Sequence, residues 1–217
     1  MVDMIKGMIF DLDGTTLYTL NDLQLALNTT LRSYGQKEQT IEEVRIHIGR
    51  GARVLVSESL PKGFSEEQID EILKAYNANY SKMLLTSTKP YEGIAELLKN
   101  LQDKGIKLAV NSNKNNNQTR TVISHYFPEI DFMAVFGSRE GIPNKPDPYT
   151  ANGIIEMMGL DKEEVIYVGD SEADIKTAHN AGIRAVGCLW GYRNKEVLES
   201  VSADFLVSKP EEILNLI

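Results

Sequence analysis

The sequence predicts an α/β protein: a doubly wound, Rossmann-like parallel sheet with an inserted all-helical unit. After Pro90, apolar strand patterns alternate with helical patterns, which indicates βαβ units. A short apolar run at residues 5–10 predicts a first strand separated from the others. Between these regions the periodicity is helical only, so we assign residues 17–84 to the inserted unit and residues 1–16 and 85–217 to the core.

Helical spacing and capping patterns define the inserted unit. Its first predicted helix ends near Gly35 and contains four leucines at helical spacing: Leu20, Leu23, Leu27 and Leu31. The capping-box sequences Thr40-Ile-Glu-Glu43 and Ser65-Glu-Glu-Gln68 predict the starts of two further helices. Gly49-Arg-Gly51 interrupts the pattern between them. We therefore expect a small bundle of helices without a strand.

The core elements follow from alternating apolar and helical patterns. Further strands are predicted at residues 106–110, 132–136, 165–168 and 183–188. Helices are predicted from residue 94 to Gly105 and at residues 115–127, 147–159 and 172–181. A weaker strand and helix follow, with Ser208-Lys-Pro-Glu211 capping the last helix. Strands joined by helices in this way predict parallel pairing with right-handed crossovers.

Composition excludes several classes of protein. The 217 residues are 42% hydrophobic, enough for a sizeable core, and the formal net charge is −8. There is no basic run typical of nucleic-acid binding and no apolar run of transmembrane length. The first residues lack a signal-peptide pattern, and the single cysteine, Cys188, permits no intrachain disulfide. We expect a cytoplasmic protein, monomeric or homodimeric, without a nucleic-acid or membrane partner.

Polar residues collect where the predicted strands end. Asp11 and Asp13 follow the first strand, and like charges so close need a counter-charge if they are buried. The corresponding positions of later strands hold hydroxyl, amide, lysine and carboxylate groups: Ser112, Asn113, Lys114, Lys145, Asp170 and Asp174. Because ligands of open α/β sheets bind beyond the carboxyl ends of the strands, these residues are expected to meet. Carboxylate oxygens suit Mg²⁺, and a lysine and a hydroxyl beside the metal suit a phosphate group.

These residues form four short motifs that resemble those of the haloacid dehalogenase-like superfamily, and more closely its phosphoglycolate phosphatase-like branch. Asp11-Leu-Asp-Gly-Thr15 is similar to the first motif and Val110-Asn-Ser-Asn-Lys114 to the second. Lys145-Pro-Asp-Pro148 is similar to the third and Gly169-Asp-Ser-Glu-Ala-Asp174 to the fourth. Two other stretches are similar to that branch: Ile48-Gly-Arg-Gly51 and Leu189-Trp-Gly-Tyr192. The resemblance covers essentially the whole chain and implies that the inserted helices form the family's cap domain.

The resemblance implies a Mg²⁺-dependent phosphatase that hydrolyses a small phosphorylated metabolite, with 2-phosphoglycolate as one candidate. Asp11 would be the nucleophile and would form an aspartyl-phosphate. Asp13 would be the general acid for the leaving alcohol and then the general base for the attacking water. Lys145 would neutralise Asp11 and the developing charge, and Ser112, Asn113 and Lys145 would bind the phosphate group.

The resemblance also implies a metal site and a substrate contact. Mg²⁺ would be held by Asp11, the main-chain carbonyl of Asp13, and Asp170. Asp174 would bind the ion or orient its ligands, although an aspartate in the first turn of a helix is also favoured by the helix dipole. Arg50, between two glycines of the cap, is the candidate contact for the non-phosphate end of the substrate, and an exposed loop arginine is the alternative.

Two positions depart from the family's pattern. Tyr18 stands where the family often has aspartate, and Thr16 replaces a usual apolar residue. Both lie where the core passes into the cap, so they bear on substrate preference and cap movement more than on the chemistry.

Other functions are possible for the same set of residues. A sugar-phosphate mutase of the same superfamily and a receiver-like or regulatory phospho-acceptor protein are the alternatives. The mutase would isomerise a hexose phosphate faster than it hydrolyses it, and the phospho-acceptor would keep Asp11 phosphorylated without turnover. A dehalogenase would not need Asp13 or the metal ligands. A phosphonatase-like enzyme would need a lysine in the first cap helix, and residues 17–36 contain none.

Several reactive side chains have a structural interpretation. Lys114 is expected to be a solvated loop charge, and Cys188 a half-buried thiol without a nearby base. Asp170 could, in addition to a metal role, be the N-cap of the helix at residues 172–181. The remaining candidates are expected to be structural: His47, His125, His179, Trp190 and Tyr192.

Overall fold

The computed structural model describes residues 4–217 and contains a six-stranded sheet and a two-stranded sheet. In chain order the strands are β1 (Gly7–Phe10), β2 (Leu17–Tyr18), β3 (Lys89–Pro90), β4 (Lys107–Asn115), β5 (Phe132–Ser138), β6 (Val165–Gly169), β7 (Arg184–Cys188) and β8 (Phe205–Val207). The large sheet has the order β5-β4-β1-β6-β7-β8, and all its pairs are parallel. The predicted doubly wound α/β fold is therefore confirmed.

Nine α-helices lie among the described residues. They are α1 (Leu20–Ser33), α2 (Ile41–His47), α3 (Ala52–Glu58), α4 (Glu66–Met83), α5 (Ile94–Asp103), α6 (Asn116–Tyr126), α7 (Tyr149–Met158), α8 (Glu172–Ala181) and α9 (Lys195–Ser200). Two 3₁₀ segments, Lys162–Glu164 and Pro210–Leu216, complete the set. The predicted last helix is the second 3₁₀ segment. The Ser208 side chain is predicted to cap it, but in the structure the Ser208 N–H donates to the side chain of Glu212 (3.0 Å). None of the described helices is long and apolar enough to cross a membrane.

The four helices α1–α4 form the helical unit, which is inserted between β2 and β3. The two predicted capping boxes are present: Thr40 N–H donates to Glu43 (2.7 Å), and Ser65 N–H donates to Gln68 (2.9 Å). The expectation of no strand in this region is wrong in one detail, because Leu17–Tyr18 pairs antiparallel with Lys89–Pro90. This pairing holds the two connections between helical unit and sheet side by side.

A buried carboxylate fixes the same junction. Asp22 of α1 is completely buried and accepts hydrogen bonds from the main-chain N–H groups of Ser87 (2.8 Å) and Thr88 (2.9 Å) and from the Thr88 hydroxyl (2.8 Å). A buried carboxylate with this many donors ties α1 to the segment that leads into β3.

The first strand lies at the centre of the sheet and is buried on both faces. Met8 and Phe10 belong to an apolar cluster that continues into the helical unit, whereas Ile9 belongs to the cluster on the opposite face. Alternation of this kind is the period of a strand, and a run without polar residues fits a strand covered on both sides. The order of strands reverses at β1, so ligands are expected at its carboxyl end.

Strand β4 is longer than predicted. Its pairing with β5 continues, with irregular register, from Asn111 opposite Phe136 to Asn115 opposite Ser138. The sequence predicts that Ser112 to Lys114 follow this strand, but they lie within its carboxyl-terminal part. They are buried there, which a freely solvated loop would not achieve.

Candidate active site

The end of β1 holds Asp11 and Asp13. Asp11 donates its main-chain N–H to the carbonyl of Val168 on β6 (2.9 Å), and its side chain is only 6% exposed. The chain then turns back, and the carbonyl of Leu12 accepts hydrogen bonds from the N–H groups of Thr15, Thr16 and Leu17 and from the Thr16 hydroxyl. This turn places the two aspartates on either side of the buried Leu12, with Asp13 13% exposed.

Two further aspartates join Asp11 from β6 and α8. Oxygen atoms of Asp11, Asp170 and Asp174 lie within 4.8 Å of one another, and all three residues are buried. The main chain at Gly14 and at Gly191 approaches the side chain of Asp170 closely. A Cβ added at Gly14 would lie 2.3 Å from Asp170 Oδ2, and one added at Gly191 would lie 2.2 Å from Asp170 Cβ. Only glycine fits at these two positions, so the loop before β2 and the loop after β7 both shape this carboxylate cluster.

The carboxylate of Asp174 is held by its own helix and by a lysine. The main-chain N–H and the hydroxyl of Ser171 donate to its Oδ2 (3.0 and 2.6 Å). The N-cap of α8 is thus Ser171, and the expectation that Asp170 caps this helix is wrong. Asp170 instead accepts from the Thr15 hydroxyl (3.1 Å) and the Tyr192 N–H (2.7 Å). A pattern of Ser followed three residues later by an acid is a known helix start, so the sequence did carry this signal.

Lys145 is the positive charge in the carboxylate cluster. Its Nζ lies 2.6 Å from Asp11 Oδ1 and 2.6 Å from Asp174 Oδ1, and its side chain is 3% exposed. The loop that carries it is fixed by the side chain of Asn113, which accepts from the Lys145 N–H (2.8 Å) and donates to the Lys145 carbonyl (3.1 Å). The amide of Asn113 is therefore already used to position Lys145.

The carboxylate cluster is short of positive charge. Three buried carboxylates share one ammonium group. Burial, together with the charge of Asp174, raises the pKa of Asp170 to about 7, and the same two causes raise the pKa of Asp11 well above its usual value. Burial alone would lower the pKa of Lys145, but the charges of Asp11 and Asp174 outweigh it and raise that pKa well above normal. A divalent cation fits this deficit, because the donors are hard oxygen atoms that converge in a buried space.

Ser112 and Asn113 lie on the other side of Asp11, at the end of β4. Ser112 is 4% exposed, and its hydroxyl accepts from the Lys114 N–H (3.2 Å). Both residues line a cavity that also contains Asp11, Asp13 and Lys145. This cavity, called the chamber below, is where a phosphate group could contact Asp11.

Lys114 is not the solvated loop charge that the sequence suggested. Its side chain is 2% exposed, and Nζ lies 2.8 and 3.2 Å from the two carboxylate oxygens of Asp13. Nζ also lies 2.5 Å from the hydroxyl of Tyr80 and 4.4 Å from the centre of that ring. The extension of β4 carries Lys114 under α4, where the tyrosine excludes water and the aspartate supplies the counter-charge.

The helical unit closes the chamber from above. Its contribution to the lining is mostly apolar: Leu23, Ile48, Gly49, Gly51, Ala52, Leu55, Tyr76 and Tyr80. The side chain of Asn113 donates to the carbonyl of Gly49 (2.9 Å), so the loop before α3 is hydrogen-bonded to the end of β4. The space inside the chamber is about 40 Å³, room for a few water molecules only.

Two arginines join the helical unit to the loop after β7. Arg193 donates to three carbonyls of the helical unit, those of Arg45 (2.8 Å), Ile46 (3.1 Å) and Ile48 (2.8 Å), and pairs with Glu172 (2.9 Å). Arg45 donates in return to the carbonyl of Tyr192 (2.8 Å). Nothing in the local sequence pointed to this reciprocal clamp, since its partners are almost 150 residues apart.

Arg50 lies outside the chamber. Its side chain is exposed and lines a second, more open cavity, whose other wall includes Lys145, Ser171 and Arg193. The substrate contact assigned to Arg50 stays a prediction, and in this arrangement it would have to be made from the rim.

The remaining candidates have structural contacts. His179 pairs with Asp204 (3.1 Å), and Cys188 is fully rather than half buried, which raises the pKa of its thiol well above normal. The indole N–H of Trp190 donates to the carbonyl of Thr15 (3.0 Å). The hydroxyl of Tyr192 lies 3.1 Å from that of Thr19, while its N–H supports Asp170.

Comparisons with known proteins find the same family over nearly the whole chain. The family model described as haloacid dehalogenase-like hydrolase matches residues 8–188. A phosphoglycolate phosphatase of Aquifex aeolicus is 34% identical over 217 residues, which cover 98% of this chain and 96% of that protein. A solved structure from Lactobacillus delbrueckii subsp. bulgaricus has a TM-score of 0.90 at 30% identity, covering 97% of both chains. A predicted phosphoglycolate phosphatase from Haemophilus somnus has a TM-score of 0.89 at 27% identity, covering 97% of both.

Proposed function

We propose that this chain, which belongs to the haloacid dehalogenase-like hydrolase family, is a Mg²⁺-dependent phosphatase acting on a small phosphate monoester. The observation that carries the proposal is the pairing of buried Asp11 with Lys145 in a carboxylate cluster that lacks positive charge. The relative from Aquifex aeolicus is a phosphoglycolate phosphatase, which makes 2-phosphoglycolate the leading candidate substrate. The cytoplasmic location and the monomeric or homodimeric state stay predictions from the sequence.

In the first half of the reaction, a carboxylate oxygen of Asp11 attacks phosphorus. The bond between phosphorus and the ester oxygen breaks, and its electron pair stays on the leaving oxygen. A carboxyl oxygen of Asp13 gives that oxygen a proton, so that an alcohol leaves. Lys145 keeps Asp11 in place, and Ser112 donates to a phosphoryl oxygen.

In the second half, water replaces Asp11 on phosphorus. Asp13 accepts a proton from this water as it attacks the aspartyl-phosphate, and the bond between phosphorus and the Asp11 oxygen breaks. Inorganic phosphate leaves and the Asp11 carboxylate is restored, while the proton remains on Asp13 for the next cycle. The helical unit covers the chamber and so restricts the access of other water molecules to the aspartyl-phosphate.

The chemistry that Mg²⁺ supplies is neutralisation of the negative charge of Asp11 and of the phosphoryl oxygens, so that two anions can approach. Asp11, Asp170 and the main-chain carbonyl of Asp13 would hold the ion. Asp174 binds the Lys145 ammonium group through one oxygen and Ser171 through the other, so its charge is already compensated and we assign it to orienting the cluster. The donors to Asp170, the Thr15 hydroxyl and the Tyr192 N–H, are neutral and leave its charge available to the ion.

The test is release of inorganic phosphate from p-nitrophenyl phosphate and from 2-phosphoglycolate. We expect activity with Mg²⁺, none with excess EDTA, and loss of at least about 10,000-fold in kcat for Asp11→Asn, since the nucleophile is removed. Asp131→Asn, an exposed aspartate far from the site, is the matched control and should keep full activity.

Three results would contradict the proposal. Equal rates of phosphate release for the wild type and Asp11→Asn would exclude Asp11 as the nucleophile. Isomerisation of a hexose phosphate faster than its hydrolysis would indicate the mutase, and lasting phosphorylation of Asp11 without turnover would indicate a phospho-acceptor.

A further inference from the structure

Lys114 lies next to the carboxyl group that serves the leaving alcohol. Its Nζ is 2.8 Å from Asp13 Oδ1, so a leaving oxygen that contacts Asp13 brings its carbon chain within a few ångströms of this ammonium group. The family roles and the sequence gave Lys114 no part in the reaction. Its position in the folded chain gives it one, because the organic end of any substrate must pass beside it.

Lys114 is also the cation that the organic part of a substrate can use. Among the described residues that line the chamber, the cations are Lys114 and Lys145. Lys145 is engaged by two carboxylates, Asp11 and Asp174. Lys114 has one carboxylate partner, and its three donors contact both oxygens of Asp13 and the hydroxyl of Tyr80. A donor of Lys114 becomes available to the substrate when an oxygen of Asp13 turns to the leaving oxygen.

The walls beyond Lys114 favour a short substrate. They are mostly apolar and include Leu23, Leu55 and the ring of Tyr76 from the helical unit. The amides of Asn115 and Gln118 also line the chamber, but they are already hydrogen-bonded to the start of α6 and to α4. A long polar group such as a sugar would therefore find few partners for its hydroxyls, which is unfavourable. A small anionic group beside Lys114 would avoid that cost.

We propose that Lys114 is the specificity-determining residue of the site, and that it selects phosphate monoesters with a carboxylate on the carbon that bears the ester oxygen. The carboxylate becomes an acceptor of the Lys114 ammonium group while Asp13 turns to the leaving oxygen. The hydroxyl of Tyr80 contacts the same ammonium group from the helical unit and helps to hold it in place. The inference rests on the proposed phosphatase function and names the residue, on β4 rather than in the loop of Arg50, that reads the substrate.

The first measurement uses the wild-type enzyme with Mg²⁺ and two substrates of equal carbon number, 2-phosphoglycolate and ethyl phosphate, which lacks the carboxylate. We expect kcat/KM to be at least about 100-fold higher for 2-phosphoglycolate, the range of a buried charge-assisted contact. A ratio near one would overturn the proposal without a variant. If ethyl phosphate is still hydrolysed and Asp11→Asn is inactive, the phosphatase function stands and only the role of Lys114 falls.

The second measurement repeats the pair of substrates with Lys114→Met, which keeps the length of the side chain and removes the charge. We expect kcat/KM to fall about 100-fold for 2-phosphoglycolate, mainly through KM, and less than about 10-fold for ethyl phosphate. Lys114→Arg should keep most of the ratio. Lys176→Met changes an exposed lysine that lines the second cavity, the one next to Arg50. It is the matched control for general attraction of anions and should change the ratio less than about 2-fold.

Two results of these variants would overturn the proposal. Equal losses for the two substrates in Lys114→Met would mean that the lysine only positions Asp13. If the preference for 2-phosphoglycolate over ethyl phosphate were lost in Arg50→Met and kept in Lys114→Met, Arg50 in the loop of the helical unit would be the residue that recognises the carboxylate. Circular dichroism establishes that each variant is folded, and if Lys114→Met is not, the wild-type ratio and Lys114→Arg decide.

Discussion

The two lysine–aspartate pairs at the end of β1 differ in charge and in the residues that cover them. Lys145, Asp11, Asp170 and Asp174 all come from the core, and their negative charges outnumber the positive one. Lys114 and Asp13 balance each other and are covered by Tyr80 of the helical unit. The first group is arranged for a cation and the second is already neutral.

This difference indicates that the two groups have separate roles in one site. The carboxylate cluster is assembled by the core alone, so the metal and phosphate binding that we propose for it needs no residue of the helical unit. The pair of Lys114 and Asp13 has an additional contact with Tyr80 of α4, so its surroundings include the helical unit. In the proposed reaction, the first group supplies positioning and charge neutralisation for phosphoryl transfer, and the second discriminates among the alcohols.

The largest expected effect separates the two lysine environments. Lys145→Met should lower kcat/KM for p-nitrophenyl phosphate by at least about 1,000-fold, because it leaves Asp11 and Asp174 without their shared cation. Tyr80→Phe keeps the ring over Lys114 and should cost less than about 5-fold with the same substrate. Phosphate release measures both, and thermal unfolding checks that the variants are folded. Similar losses in the two variants would show that the two groups do not act separately.

The next effect concerns stabilisation by the metal. Mg²⁺ at 100 times its dissociation constant should raise the free energy of unfolding of the wild type by about 2.7 kcal/mol, because it binds only the folded cluster. Asp170→Asn should abolish most of this increase. Asp13→Asn should retain it, since the main-chain carbonyl of residue 13 remains. Differential scanning fluorimetry with and without Mg²⁺ measures the shift, and loss of the shift in Asp13→Asn would contradict the division.

Without a metal, the excess of negative charge in the carboxylate cluster should make the stability of the folded protein depend on pH. Burial raises the pKa of Asp170 to about 7, against about 3.9 in an unfolded chain. For a carboxyl group with a raised pKa, its contribution to stability is fully present below pH ~4 and is lost as the pH rises through about 7. In EDTA, Asp170→Asn should therefore raise the melting temperature by about 4 °C at pH 8 and by less at pH 5. An increase that is the same at both pH values would show that charge is not the cause.

The smallest effect tests the clamp that holds the helical unit closed. Arg193→Met removes hydrogen bonds to three carbonyls of residues 45–48 and should raise KM about 3- to 10-fold with little change in kcat. Amide hydrogen exchange at residues 45–51 should become faster. Arg120→Met, an exposed arginine on α6, serves as control and should change neither. A fall in kcat as large as the rise in KM would mean that the clamp supports the carboxylate cluster instead.

Much of the fold was readable from local patterns. The apolar run of β1, the capping boxes at Thr40 and Ser65, and the strand–helix alternation after Pro90 each depend on neighbours within a few residues. The position of Asp11 and Asp13 at the end of β1 could be predicted for the same reason, since they directly follow its apolar run. The extension of β4 could not, because it depends on pairing with β5 more than 20 residues later.

The sequence by itself determined that Asp11 and Asp170 stand at the carboxyl ends of β1 and β6, because apolar runs and chain direction decide where these buried strands end. Only the tertiary structure decided that Lys114 is buried, since its water is excluded by Tyr80, 34 residues before it, and its counter-charge, Asp13, lies 101 residues before it. A lysine followed by polar residues has the same local pattern whether it is solvated or enclosed. Its burial depends on long-range packing, because the free energy of a buried charge is set by the groups that surround it in space.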